Sequence, residues 1–334
     1  MGMNTTFSTR RKTLRRPDPA RRHSLTRCRG LVAAAVAVAA AGGVASAAVP
    51  AAAAGETGGT VLAASLRGAN EVPVQGGPAV GDQDGAALQF VKVTGDKVSV
   101  AVEWSGTSKP TALHLHQGAK GTNGGIKVDF TKLLKGHGKG PGKGRTLTGT
   151  VEVKDAALLD ALKNDPASFY ANLHTAEFPG GALRGQLHKV TVAAFDFRDA
   201  LDNVQASVIK GKQIYECKPV EGGGYAFAQR DVRAALGGGI AHSFVQPNSG
   251  TPQWIAPDGS AVTGAVLART PNGDGNIPEL DLKATQSGRH HGLLAGTSEI
   301  LRLNTVGGVA PAGSCAPGAV VGVPYHADYV FLQG

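Results

Sequence analysis

The chain has 334 residues, enough for about two domains. Its formal net charge is +9, but nine of the 34 Lys and Arg and one of the 25 Asp and Glu lie in residues 1–54, which leaves 25 basic against 24 acidic residues beyond them. The basicity therefore belongs to the N-terminal segment and gives no reason to expect a nucleic-acid partner. The 48 glycines and the 5% aromatic content favour many tight turns and short strands over long helices.

Residues 1–54 read as an export leader with an Ala-rich tail. A cationic stretch over 10–29 precedes an apolar run over 31–41. That run is shorter than the ~20 residues a spanning helix needs. Ala45-Ser46-Ala47 then supplies a small-residue cleavage signal, with cleavage expected after Ala47. An uncleaved anchor is the alternative. Arg21-Arg22 fits a twin-arginine signal loosely, and a general export signal fits as well. The expectation is a secreted or cell-envelope protein with no transmembrane segment in its mature part. Cys28 leaves with the leader. Cys217 and Cys315 remain, and in an oxidising compartment an even pair reads as a disulfide, two buried thiols being the alternative.

From residue 60 onward, short alternating runs are punctuated by Gly, Pro, Asn and Asp. Strands are expected over 61–66, 86–93, 98–104, 111–116, 146–153, 168–174 and 182–190, with a hairpin turn at 94–97. One helix is expected over 156–163, capped by Asp155 and ended by Asn164-Asp165-Pro166. Residues 135–145 form a Gly/Lys loop that matches neither phosphate-binding glycine pattern and reads as a solvated, mobile insertion. A more charged stretch over 191–203 reads as a linker. Beyond it, residues 204–334 repeat the short-strand grammar at 208–217, 225–228, 253–255, 261–268, 279–284, 298–303 and 325–331. The fold class is all-β. The first domain, 60–190, is expected to be an antiparallel β-sandwich, and the second a sandwich or barrel with one disulfide.

Five ordered motifs carry a resemblance in the first half. They are Leu66-Arg67-Gly68-Ala69-Asn70-Glu71-Val72-Pro73, Ala112-Leu113-His114-Leu115-His116-Gln117-Gly118, Gly121-Thr122-Asn123-Gly124, Tyr170-Ala171-Asn172-Leu173-His174-Thr175, and the run from Phe178-Pro179-Gly180-Gly181 through Arg184-Gly185-Gln186-Leu187. Together they resemble the CHRD domain, a module first noted in chordin and widespread in bacterial exported proteins. In the second half, Tyr215-Glu216-Cys217, His242, Pro252-Gln253-Trp254, Asp258-Gly259-Ser260, Arg302-Leu303-Asn304-Thr305-Val306-Gly307-Gly308, Cys315 and Tyr325-His326-Ala327-Asp328-Tyr329 resemble domain-of-unknown-function family 3455. That resemblance implies no activity. It does imply that Cys217 and Cys315 pair. Glu279-Leu280-Asp281 departs from the aromatic strand core expected after Ile277-Pro278, so packing there should differ.

His114-Leu115-His116 lies in an expected strand, where residues i and i+2 share one face at ~6.5–7 Å. Two imidazoles so placed can close on one ion, and His174 on another strand offers a third. Three imidazoles suit copper or zinc. His188 or a carboxylate could complete the shell. The arrangement also looks like the copper–zinc superoxide dismutase pattern at the level of fold, but the loop ligands of a zinc subsite are missing. Polar pairing is the competing reading: His174 to backbone carbonyls, and Arg184 to Glu177 or to the 121–125 loop.

Arg184, Asn123, His242, Trp254 and His326 are the remaining ligand-binding candidates. No G-x-S-x-G, H-E-x-x-H or C-x-x-C motif identifies an enzyme. Three readings stand. The chain is an exported, non-catalytic binding protein for an extracellular or envelope ligand; or a copper- or zinc-binding, redox-type protein using His114, His116 and His174; or an enzyme whose site in the second domain joins His242, Trp254 and His326.

Overall fold

The computed structural model describes residues 58–136, 145–191 and 195–334. The expected leader, its expected cleavage signal and most of the Gly/Lys loop lie outside the described residues. Among the described residues, no helix is long and apolar enough to cross a membrane.

Among the described residues, the first half forms nine strands and one α-helix: β1 (Thr60–Arg67), β2 (Ala86–Thr94), β3 (Lys97–Ser105), β4 (Pro110–Gln117), β5 (Ile126–Asp129), β6 (Thr146–Glu152), α1 (Ala156–Asn164), β7 (Phe169–Thr175), β8 (Leu183–Gln186) and β9 (His188–Lys189). They make one sheet in the order β5-β4-β7-β8-β1-β2-β3-β6, with β9 beside β1. The sheet is nearly closed. It curls because one face of each strand is apolar and all those faces meet in one core. Leu62, Leu66, Val91, Val100, Val102, Leu113, Leu115, Leu147 and Leu173 share it. The two-turn 3-10 segment Thr131–Gly136 spans the gap between the β4 and β6 sides, and Leu133 packs there against the core. Helix α1 inserts Leu159 and Leu162 into the same core. Its Asp155 side chain accepts the Leu158 amide at 3.0 Å, the N-cap the sequence implies.

The second half is a closed barrel of eight antiparallel strands in sequential order: β10 (Val204–Pro219), β11 (Tyr225–Leu236), β12 (Ala241–Phe244), β13 (Pro252–Ile255), β14 (Ala261–Thr270), β15 (Glu279–Gln286), β16 (Thr297–Gly307) and β17 (Val320–Gln333). β17 pairs with β10 and removes the free edges. The Cys217–Cys315 disulfide, with Cα atoms 5.8 Å apart, ties the end of β10 to the loop before β17. Two short strands, β5 and β12, were not expected from the sequence. The single strand expected over 182–190 is divided into β8 and β9, and β10 starts several residues earlier than expected.

The sheet and the barrel pack directly on one another. Strand alternation sends Tyr329 and Phe331 into the barrel and Val330 and Leu332 outward. The outward pair joins Leu301 and Leu303 from β16 against Val61, Ala63, Leu88, Phe90 and Ala101 on the outer face of the sheet. The 3-10 segment Phe197–Asp202 adds Ala200 to this shared core.

Polar contacts frame the seam. Asp328 accepts hydrogen bonds from Ser65 Oγ at 2.8 Å, Arg67 Nη2 at 2.7 Å, Ser207 Oγ at 2.6 Å and Asn304 Nδ2 at 2.8 Å. Arg67 also donates to Ser207. Asn304 adopts a left-handed backbone, φ 51°, at an irregularity in β16. Asn tolerates that conformation better than most residues, and here it turns its amide toward Ser65 and Asn70. Glu279 is a second anchor. It is buried, receives Lys120 Nζ at 3.0 Å and the Asn304 amide at 2.8 Å, and lies 3.5 Å from His188 Nε2. The departure at Glu279-Leu280-Asp281 is thereby explained: Leu280 fills the barrel while Glu279 reaches the sheet.

Candidate metal centre

The outer face of the sheet carries a row of polar side chains across three neighbouring strands. β4 pairs with β7 in the register His114↔Asn172 and His116↔Tyr170, and β7 pairs with β8 in the register Asn172↔Arg184. With a two-residue period, His114 and His116 on β4 and Tyr170, Asn172 and His174 on β7 share one face. Leu113, Leu115, Ala171 and Leu173 face the core on the other side.

The three histidines come together. One nitrogen from each lies within 4.8 Å of the others. Ring centroids are 5.1 Å apart for His114 and His174, 5.5 Å for His114 and His116, and 6.3 Å for His116 and His174. The remaining ring nitrogens face acceptors. His116 Nδ1 donates to the Gly124 carbonyl at 2.9 Å, and His174 Nδ1 to the Pro179 carbonyl at 3.1 Å. A carbonyl oxygen can only accept, so in each neutral ring Nε2 carries the lone pair. His114 Nε2 lies 3.2 Å from Thr131 Oγ1 and 3.5 Å from Asp129 Oδ1, which favours a proton there and leaves Nδ1 for the cluster. His116 Nε2 is buried without a partner. His114 Nδ1 and His174 Nε2 are 3.3 Å apart, close to the ~3.4 Å between ligands of a tetrahedral ion with 2.0–2.1 Å bonds.

Electrostatics keeps the three rings neutral, the form that binds a metal. Burial, then the neighbouring His174, pulls His114 down to about 4. Burial also lowers His116 and His174, more than their backbone acceptors raise them.

The surroundings fix the rings in place. His116 stacks on Tyr170, centroids 4.9 Å apart and planes 8° from parallel. The Arg184 guanidinium lies 3.5 Å from the centre of the same Tyr170 ring. Arg184 donates to Asn123 Oδ1 at 2.9 Å and to the carbonyls of Thr122 and Ala119 at 2.6 and 3.3 Å. It therefore holds the 117–125 loop that supplies the Gly124 acceptor. Glu177, one of its expected partners, is not among these contacts. Glycine is required at 124, where a Cβ would stand 1.6 Å from the Gln117 carbonyl oxygen.

One further residue bears on the site. Glu71 lies against Gly181, where a Cβ would meet its Oε1 at 2.5 Å. Burial raises its carboxyl to about 7, while Arg184 and a 3.3 Å bond from Asn172 act in the opposite direction. The turn before Pro73 marks Glu71 for structural hydrogen bonding, and nothing in the sequence marks it as buried. A surface cleft runs beside the cluster, lined by Val72, Val74, Val80, His116, Tyr170 and His174 among others.

Of the other candidates, His242 and Trp254 stack inside the barrel, centroids 4.4 Å apart and planes 4° from parallel. His326 does not join them. It alternates with buried Tyr325 and Ala327 and is exposed on the barrel's outer side. The pocket expected to unite His242, Trp254 and His326 is thus formed without His326. His188 lies at the seam near Glu279, away from the three-histidine cluster.

The fold and the site together define an all-β protein in which a nearly closed sheet bearing a trihistidine cluster is joined to an eight-stranded barrel. Residues 62–187 match the CHRD domain, and residues 231–333 match the protein family of unknown function DUF3455, in the order the sequence motifs imply. The chain thus couples a CHRD domain to a DUF3455 domain. Comparison with curated proteins and with solved structures gives no significant match.

Proposed function

We propose that the protein is an exported, non-catalytic binding protein whose CHRD domain holds one copper or zinc ion on His114, His116 and His174. The observation that carries this reading is the direction of the three rings. Each has its second nitrogen facing an acceptor, the arrangement typical of metal-ligating histidines, and the lone pairs that remain converge. The cluster needs only a small closure of His116 to reach bonding distance. The fourth position faces the cleft, so an external ligand or water completes the shell. Imidazole ligands suit both copper and zinc, and copper binds more tightly at an unconstrained nitrogen site.

The leader-like composition of residues 1–54 and the disulfide support an extracellular or envelope location. A redox role for bound copper is the second reading, favoured by the open position beside the cleft.

The test is metal content and titration. Apo protein mixed with one equivalent of Cu(II) or Zn(II) should retain close to one ion through gel filtration. His116→Ala and His174→Ala should each weaken binding by at least about tenfold while leaving the thermal unfolding of the apo protein near that of wild type. Wild-type protein that retains no ion after loading with either metal would end the proposal.

A further inference from the structure

The barrel contains a cavity independent of the histidine cluster. Its volume is about 80 Å³, well below the ~300–1,000 Å³ of drug-sized sites, so any ligand it takes is small. An eight-stranded barrel has an interior that either fills with side chains or holds one small ligand. Here the filling is incomplete. Trp254, His242, Phe244 and Tyr329 wall one part, and Val232, Leu280 and Leu282 another.

The polar groups are one-sided. The lining includes two arginines, Arg302 inside and Arg269 exposed at the mouth, and no Asp or Glu. Arg302 is almost wholly buried, yet it donates through Nε and Nη2 only to the Pro278 carbonyl, at 3.2 and 2.7 Å. Its side chain also meets the Tyr329 hydroxyl. No carboxylate pairs with it among the described ion pairs. Burial of a cation without a counter-charge is costly.

Two further donors are unsatisfied. Trp254 Nε1 and Gln213 Nε2 are buried without partners, and both side chains line the cavity at 1% exposure. Gln213 is oriented by Gln229, which donates to its Oε1 at 2.6 Å and leaves the Nε2 hydrogens for the cavity. Asp231, the nearest buried acid on β11, is already engaged by the amides of Val232 and Phe244 and by Arg233.

We propose that the barrel lumen is a binding site for a small carboxylate with a planar apolar body. The carboxylate takes the position facing Arg302, Gln213 Nε2 and Trp254 Nε1, where three donors lack an anionic acceptor. The planar body lies among the aromatic walls, and Arg269 draws the anion to the mouth. A neutral molecule of the same shape leaves Arg302 uncompensated, so charge is the discriminating feature.

Benzoate is the probe, with benzamide as the uncharged analogue and acetate as the anion without a ring. The holo or apo state of the metal cluster does not enter, since those residues belong to the sheet. The wild-type chain should bind benzoate saturably, read by isothermal titration and by a shift of one of the two indole N–H resonances, that of Trp254. Binding should be at least about tenfold tighter than for benzamide or acetate. Arg302→Met should abolish the preference for benzoate over benzamide. Arg269→Gln changes an exposed side chain, keeps the fold, and should weaken benzoate several-fold with a reduced salt dependence. Absence of saturable benzoate binding, equal affinity for benzamide, or a benzoate-induced shift confined to Trp104 would each overturn the proposal.

Discussion

Substitution of Asp328 by Ala probes the seam between the sheet and the barrel. Asp328 is 4% exposed, and its carboxylate gathers donors from β1, β10 and β16: Ser65, Arg67, Ser207 and Asn304. Burial alone would raise its pKa, but the bonds from Arg67, Asn304 and Ser207 outweigh it and hold the group below the usual range. Removing one partner of a buried ion pair costs ~3–5 kcal/mol. The Arg67 side chain is 27% exposed and recovers some hydration, so a loss of about 2–4 kcal/mol is expected. Equilibrium urea unfolding, followed by tryptophan fluorescence and by far-ultraviolet circular dichroism, measures it. Because the apolar seam joins both halves, wild type should unfold in one transition. Pairing Asp328→Leu with Arg67→Met should restore much of the loss, since no charge is then left unpaired. A loss under about 0.5 kcal/mol for Asp328→Ala, or two separate wild-type transitions, would refute the account of the seam.

Two other outcomes follow from buried polar groups. Gln89 is fully buried in the sheet core with both amide atoms unpartnered, so Gln89→Met, which keeps the length of the side chain, should stabilise the fold by about 1–2 kcal/mol in the same urea assay. His242 is lowered from 6.5 to about 3, chiefly by burial. Between these values the unfolded chain binds a proton that the folded chain does not, so stability is complete above pH 6.5 and falls on acidification toward pH 3. The expected slope is about 1.4 kcal/mol per pH unit within that window. His242→Phe should flatten the part of the urea-midpoint profile that lies between pH 6 and 4, and an unchanged profile would count against a buried neutral imidazole.

Much of the architecture was readable because strand period and turn chemistry are local. Val98-Ser99-Val100-Ala101-Val102-Glu103-Trp104 alternates, and β3 occupies that stretch. Likewise His114 and His116 stand two apart on one strand and meet on one face. The Cys217–Cys315 pairing was legible from an even count, the expectation of export and the resemblance of the second half. β5 and β12 are each four residues long, which leaves periodicity little to register; β13 is as short but was read at Gln253-Trp254-Ile255. The seam was missed although it left a mark. β1 reads TVLAASLR and is buried on both faces, as a strand covered on two sides must be. The apolar run Tyr329-Val330-Phe331-Leu332 in β17 carries the same mark, with aromatic rings inside the barrel and aliphatic chains against the sheet. What no local pattern reveals is that Arg67 meets Asp328, since those residues are 261 positions apart.

The barrel also bears on the order of the histidine cluster. His116 is oriented by the Gly124 carbonyl, and Gly124 belongs to a loop without regular structure. Such a loop would sample many conformations if it were tied only at its ends. Three ties remove that freedom. Arg184 binds it from below through Asn123, Thr122 and Ala119, and Asn123 donates in turn to the Val72 carbonyl at 2.8 Å. The third tie comes from the other half of the molecule, where Glu279 on β15 holds Lys120. Glu279 is itself fixed by the Asn304 amide, and Asn304 is fixed by Asp328 and the Ser65 carbonyl. The outer acceptor of one candidate ligand is thus secured in part by a contact that exists only when sheet and barrel are joined. Packing at the seam supplies rigidity that the loop's own sequence, rich in glycine and poor in apolar residues, lacks.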